Sequence, residues 1–237
     1  DSQLYNAEAR YEWYFDREQR FTIAGFFKRI DSPIESFSSF DDNSVITSFA
    51  NAPKADLYGV EIETQKYFDL SAIGDEGFFA TRRAVVIANY TYTKSKISVK
   101  AGDTVAVFNA SSTNALDFFT DGSPLTGQAD HLINLQFGLE DTERLSQQTI
   151  LISYSTDRVT SRGASGQPDI KEKPGIQLDF VAREGFMLGG KEAELKFEVR
   201  NLTNTKYQEL QENGENKIFY NRFKQGISAS IGVELNF

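Results

Sequence analysis

Along most of this chain, apolar and polar residues alternate with a period of two. The stretch GISASIGVELNF places Ile227, Ala229, Ile231, Val233, Leu235 and Phe237 on one parity, and Ser228, Ser230, Gly232, Glu234 and Asn236 on the other. Ala193, Leu195, Phe197 and Val199 alternate in the same way with Glu194, Lys196, Glu198 and Arg200. Successive side chains of a strand point to opposite faces, whereas residues two apart on a helix diverge by about 200°. The pattern therefore predicts two-faced strands. It recurs at Tyr5, Ala7, Ala9, Tyr11, Trp13 and Phe15, at Tyr58, Val60 and Ile62, at Ala84, Val86, Ala88, Tyr90 and Tyr92, and at Ile133, Leu135, Phe137 and Leu139.

Nine long strands follow, at about 3–16, 20–31, 55–69, 78–98, 127–140, 146–159, 173–184, 191–201 and 225–237. Many exceed the five or six residues usual in soluble sheets. Short turns at Asp16–Gln19, Asp69–Gly77, Asp141–Leu145 and Gly185–Gly190 alternate with long polar loops at 32–54, 99–126, 160–172 and 202–224. The segment Val45–Phe49 reads as a hairpin arm inside the first loop. Short turns at one end and long loops at the other are the layout of an all-β, antiparallel, up-and-down transmembrane barrel.

Composition changes that picture in three ways. Hydrophobic residues make up 40% of the 237, yet no run approaches the roughly 18–20 needed for a spanning helix. Spanning by strands is compatible with the same numbers, since about 9–11 tilted residues suffice. The 20 Phe, 10 Tyr and one Trp include Tyr11, Trp13, Phe15, Tyr90, Tyr92 and Phe237 near the ends of apolar faces, where a barrel places its aromatic girdles. A soluble β-sandwich also alternates, and it stands as the competing architecture. Alternation is weakest in FTIAGFFKRI and around Arg82–Ile87, where a plug or partner segment would cover the inner face.

Charge and chemistry mostly exclude. The net charge is −9 with no long basic run, which argues against a nucleic-acid partner. Cysteine is absent, so neither disulfides nor thiolate metal sites are available. A single histidine, His131, with outward parity, fits an interfacial position rather than a metal ligand set. Glu61, Glu63, Glu194, Glu198 and Arg200 read as lumen lining, because no nucleophile accompanies them. No catalytic residue, cofactor or metal site is expected.

Nine spanning strands cannot close antiparallel, since the first and last run the same way, and a bilayer tolerates no open sheet edge. A family resemblance resolves this. EARYEWYF…IAGFFKRIDSPIE, SFANAPKADLYGVEIE (Asn51, Ala55, Gly59, Val60, Glu61), IANYTYTKSKI, PLTGQADHLINLQFGLE, VRNLTNTKYQE (Asn201, Leu202, Asn204, Tyr207) and GISASIGVELNF occur in order over more than 200 residues. Together they resemble the C-terminal part of a TonB-dependent outer-membrane receptor. The resemblance implies a 22-stranded barrel, of which residues 1–237 carry about the last nine strands, with the plug domain and earlier strands outside this sequence. It also implies the outer membrane of a Gram-negative bacterium, a TonB complex acting through the missing N-terminal region, the barrel-assembly machinery reading Phe237 as a signal, and a small-molecule nutrient as ligand. The expected function is TonB-coupled import of a siderophore, vitamin, oligosaccharide or similar, not catalysis. A passive porin and a soluble β-sandwich binding module are the rivals.

Candidate ligand contacts fall in the long loops, where a rigid scaffold displays variable residues. They are Asp117, Phe118, Phe119, Arg158, Arg162, Tyr220 and Phe223. The aromatics would stack on a ring, and the arginines would grip an anion or sugar. Loop anchoring and rim charge pairing are the alternative roles for the same residues. Asp41-Asp42-Asn43 and Asp117…Asp121 are acid clusters that suit a hard cation or simply a solvated loop.

Overall fold

The computed structural model describes residues 2–41, 44–74, 76–108, 110–163 and 167–235. Fifteen strands occur among them: β1 (Gln3–Asp16), β2 (Gln19–Asp31), β3 (Ile34–Asp41), β4 (Ser44–Asn51), β5 (Lys54–Asp69), β6 (Arg82–Ser98), β7 (His131–Asp141), β8 (Ser146–Ser155), β9 (Arg158–Gly163), β10 (Ile170–Glu172), β11 (Gly175–Leu188), β12 (Lys191–Arg200), β13 (Lys206–Asn213), β14 (Asn216–Lys224) and β15 (Ser228–Leu235). The described residues hold no α-helix, only 3-10 turns at Gly77–Phe79 and Ala115–Asp117.

Nine strands form one antiparallel sheet, the wall, in the order β1-β2-β5-β6-β7-β8-β11-β12-β15. These are the nine strands of the alternation. Their limits shift where turn chemistry overrides periodicity. The fourth starts at Arg82 because Gly77–Phe79 forms a 3-10 turn, and the fifth starts at His131 rather than 127. The seventh runs on to Leu188, with Gly189 and Gly190 at positive φ making the turn. The sixth stops at Ser155, and Arg158 begins a separate strand. Phe237 lies outside the described residues.

Register turns nine alternating strands into one apolar face. A single row reads Tyr11↔Ile23↔Ile62↔Tyr90↔Ile133↔Tyr154↔Ile176 across seven strands. A second row reads Phe137↔Ile150↔Phe180↔Val199↔Ala229. A slip of one residue anywhere would turn a whole strand's apolar set to the polar side, so each pairing fixes the next. The face is bare: Ile231 is 72% exposed and Val233 60%. The opposite face carries ion pairs between Arg20 and Glu63, Arg83 and Glu140, and Arg183 with Glu194 at 2.6 and 2.8 Å. Gly59 belongs to this second face. A Cβ there would meet the Phe26 ring at 2.6 Å and the Tyr92 carbonyl, so only glycine lets Phe26 lie across the strand. The sheet does not close on itself; β1 and β15 are its edges.

The connections at one end of the wall are not plain loops. Three of the four long ones supply six strands to a second sheet, the cap, in the order β14-β13-β10-β9-β3-β4. The expected hairpin arm at Val45–Phe49 is part of the β3–β4 hairpin. The fourth connection, between β6 and β7, fills the core beneath. Phe37, Ala50 and Ala52 from the first connection pack with Val99, Val105, Ala115, Phe119 and Leu125 from this one, and with Ala55 and Ile97 at the top of the wall.

Candidate functional site

The cap is organised around one guanidinium. Arg162 on β9 is 2% exposed and Glu35 on β3 is 1% exposed. Arg162 donates from Nε to Glu35 Oε2 at 2.9 Å, from Nη1 to Asp169 Oδ2 at 2.7 Å, and from Nη2 to the Pro124 carbonyl, with Nη2 also in an ion pair with Glu35 Oε2 at 2.7 Å. Burial pushes the Glu35 carboxyl above its usual range, while Arg162 and the Thr126 amide pull it back. The backbone brings this pair together through a short parallel contact of β3 with β9, Phe37↔Arg162 and Ser38↔Gly163.

The segment Pro124–Gly127 is tied down residue by residue. Besides Pro124, Leu125 N donates to Ser95 Oγ at 2.9 Å, Thr126 N to both Glu35 oxygens at 3.3 and 3.2 Å, and Gly127 N to the Val159 carbonyl at 2.7 Å. Four consecutive residues thus join β6, β3 and β9. Between this segment and the cap sheet lies a cleft of about 220 Å³, lined by Ser95, Pro124, Gln128, Arg158, Val159 and Lys171 among others.

A second brace sits where β12 leaves the wall. Asn201 and Asn204 adopt positive φ of 56° and 53°, which asparagine tolerates better than most residues. Asn201 Nδ2 donates to the carbonyls of Thr205 and Gly226 at 3.2 and 2.9 Å, and its Oδ1 accepts from Thr205 N at 2.9 Å. Tyr207, which closes this motif, stacks on Phe223 with centroids 4.8 Å apart. Burial, then a hydrogen bond to Glu209, push the Tyr207 hydroxyl up to about 12.

The candidate contacts divide into two groups. Arg162 and Phe119 are buried: the first holds the ion pair above, and the second stands edge-on to Phe37 at 5.4 Å. Both make their contacts inside the cap. Phe118 is half-buried against the same Phe37 ring at 6.2 Å. Asp117 is exposed and accepts from Ser112 and Asn114 at 2.5 and 3.2 Å. Arg158 is half-buried and meets Glu172 at 2.6 Å, Tyr220 reaches Ser38 Oγ at 3.4 Å, and the Phe223 ring is 52% exposed. Asp42 and Asn43 lie outside the described residues. His131 sits at the wall rim, hydrogen-bonded to Tyr90 Oη at 2.9 Å and stacked beside it.

Glu35, Asp169 and the serine cluster escaped the sequence reading. Ser161 Oγ sits 3.2 and 2.9 Å from Ser36 Oγ and Ser38 Oγ. One acid among many in polar loops gives no signal of burial. The IDSPIE stretch, which includes Glu35, was marked only by its resemblance.

The family model for the TonB dependent receptor-like beta-barrel matches residues 3–202. The chain belongs to this family. No curated protein and no solved structure gives a match. As a TonB-dependent receptor barrel, the chain falls among proteins of outer-membrane, TonB-dependent transport, characteristically found in Gram-negative bacteria. The family is one of transporters rather than enzymes. In outer-membrane barrels generally the outward face is an apolar band and the longer loops lie at the extracellular end.

Proposed function

We propose that this chain is the C-terminal wall and part of the outer binding face of a receptor that captures a scarce nutrient and imports it with TonB-coupled energy. The observation that carries the reading is the register-locked apolar face joined to an ordered cap. A lipid-facing wall alone would serve a passive pore equally well. A cap with its own buried core and a cleft lined by Ser95, Gln128, Arg158 and Lys171 is a scaffold for selective capture. On this reading the remaining strands of a 22-stranded ring pair with the edges of β1 and β15, and a plug fills the lumen against the polar face. Asp117, Phe118, Arg158, Tyr220 and Phe223 are the proposed ligand contacts. Arg162 and Phe119 support them from beneath. The ligand is a siderophore, vitamin, oligosaccharide or similar small molecule.

The test is uptake by cells expressing the full-length protein, measured across a panel of labelled nutrients with TonB present and deleted. Saturable uptake that disappears without TonB is expected. Uptake that persists without TonB and rises linearly with concentration would establish a passive channel instead.

A further inference from the structure

Three of the long connections converge on Arg162 and its partner Glu35. Its guanidinium contacts Glu35 from the first connection, the Pro124 carbonyl from the second, and Asp169 from its own. Pro124 lines the cleft, as do Ser95, whose Oγ accepts from Leu125 N, and Val159, whose carbonyl accepts from Gly127 N. The position of the Pro124–Gly127 segment therefore sets the distance across the cleft to Lys171 on β10. Lys171 is exposed and also lines it.

We propose that Arg162 is the positioning residue of this cleft. It fixes the cleft's width by holding Pro124–Gly127 against β3 and β9, and so governs capture of the ligand without touching it. The inference rests on the reading of the cap as the ligand-binding face, but its physical content is a distance within the cap. A buried guanidinium is suited to this task. Its planar fork serves several acceptors at fixed angles, which a lysine's single ammonium does not reproduce. Removing the guanidinium leaves the buried Glu35 carboxylate without its counter-charge, so the arrangement is held cooperatively rather than contact by contact.

The experiment uses the full-length receptor in lipid nanodiscs. This part of the chain has no cysteine, so spin labels on cysteines at positions 128 and 171 report the cleft width. Arg162→Gln is expected to broaden that distance distribution. Amide protection is expected to fall about 10- to 100-fold at residues 125–127 and 161–163 together, the equivalent of losing one charged hydrogen bond. Wall amides of β6–β8 should keep their protection. Arg162→Lys should recover part of the protection at one of the two segments but not the original width. An unchanged distance in Arg162→Gln would overturn the proposal, as would a loss confined to residues 161–163. If Arg162→Gln fails to assemble, Asp169→Asn tests the same point by removing one arm: a shifted width supports the proposal, and an unchanged width with lost protection only at β9 overturns it. Loss of TonB-dependent uptake bears on the transport reading alone, because the width and exchange measurements need no ligand.

Discussion

The wall and the cap are built from the same kind of strand and solve the burial problem in opposite ways. The wall leaves its apolar parity uncovered, with Ile231, Val233 and Trp13 all more than half exposed. The cap buries Phe37, Phe119 and Ile170 at 2% exposure or less. In the wall, long regular strands meet in one register and the surrounding lipid replaces a core. In the cap, short strands cross between distant connections and must supply their own core, including a charge pair. The wall is therefore specified by local alternation and tolerates changes on its lumen face. The cap is specified by contacts far apart in sequence and tolerates few changes at its centre.

That contrast orders the expected effects of substitution. Phe37→Ala removes the ring on which Phe118 and Phe119 rest. It should cost about 3–5 kcal/mol of local cap stability, within the range for buried aromatics. Hydrogen exchange should register this at β3, β4 and residues 115–125, with β7 and β8 unaffected. Equal loss in wall and cap would mean that they unfold as one unit and would break the comparison.

Leu135→Arg should come next, at about 2–4 kcal/mol, because it places a cation on the apolar face midway along β7. Gln136→Arg, on the neighbouring polar face, should cost far less. Denaturant-induced unfolding of the full-length protein in lipid vesicles measures both. Similar costs would mean that the two faces had been assigned wrongly.

Arg183→Met removes a bidentate pair that lines the polar face, with Arg183 still 42% exposed. About 0–1 kcal/mol is expected in the same unfolding measurement, as for solvated pairs. A much larger cost would mean that the polar face is dry.

The remaining prediction is a pH dependence at Tyr207. Its folded-state value of about 12 lies above the ordinary value near 10, so folding favours the neutral phenol. The associated stability is fully present below about pH 10 and is lost as pH rises through about 12. The ultraviolet titration difference between the parent and Tyr207→Phe should therefore have its midpoint near the folded value. A midpoint near the ordinary one would place Tyr207 in water rather than in the cap.

The wall was legible in the sequence to within a few residues, because a strand with one lipid face and one wet face writes its geometry into every second position. Its boundaries were not, since glycine pairs and a 3-10 turn decide where pairing stops. In the sequence the cap looks like polar loops apart from a hairpin arm. Its strands are short, and several are buried on both faces, so Ile34–Asp41 and Arg158–Gly163 show no clean period. The family motifs were visible as letters only; their reasons are the Phe26 ring over Gly59, the Arg162 contact at Pro124, and the bonds that Asn201 makes at positive φ.

By itself, then, the sequence determined that nine strands exist, which side of each is apolar, and what family they belong with. These properties are local, carried by side chains that alternate along one backbone. Only the tertiary structure decided that Arg162 is buried, that Glu35 is its counter-charge, and that three long connections form one sheet. Glu35 and Arg162 are 127 residues apart. Nothing in a local pattern distinguishes a loop arginine that meets solvent from one that meets a carboxylate across the fold.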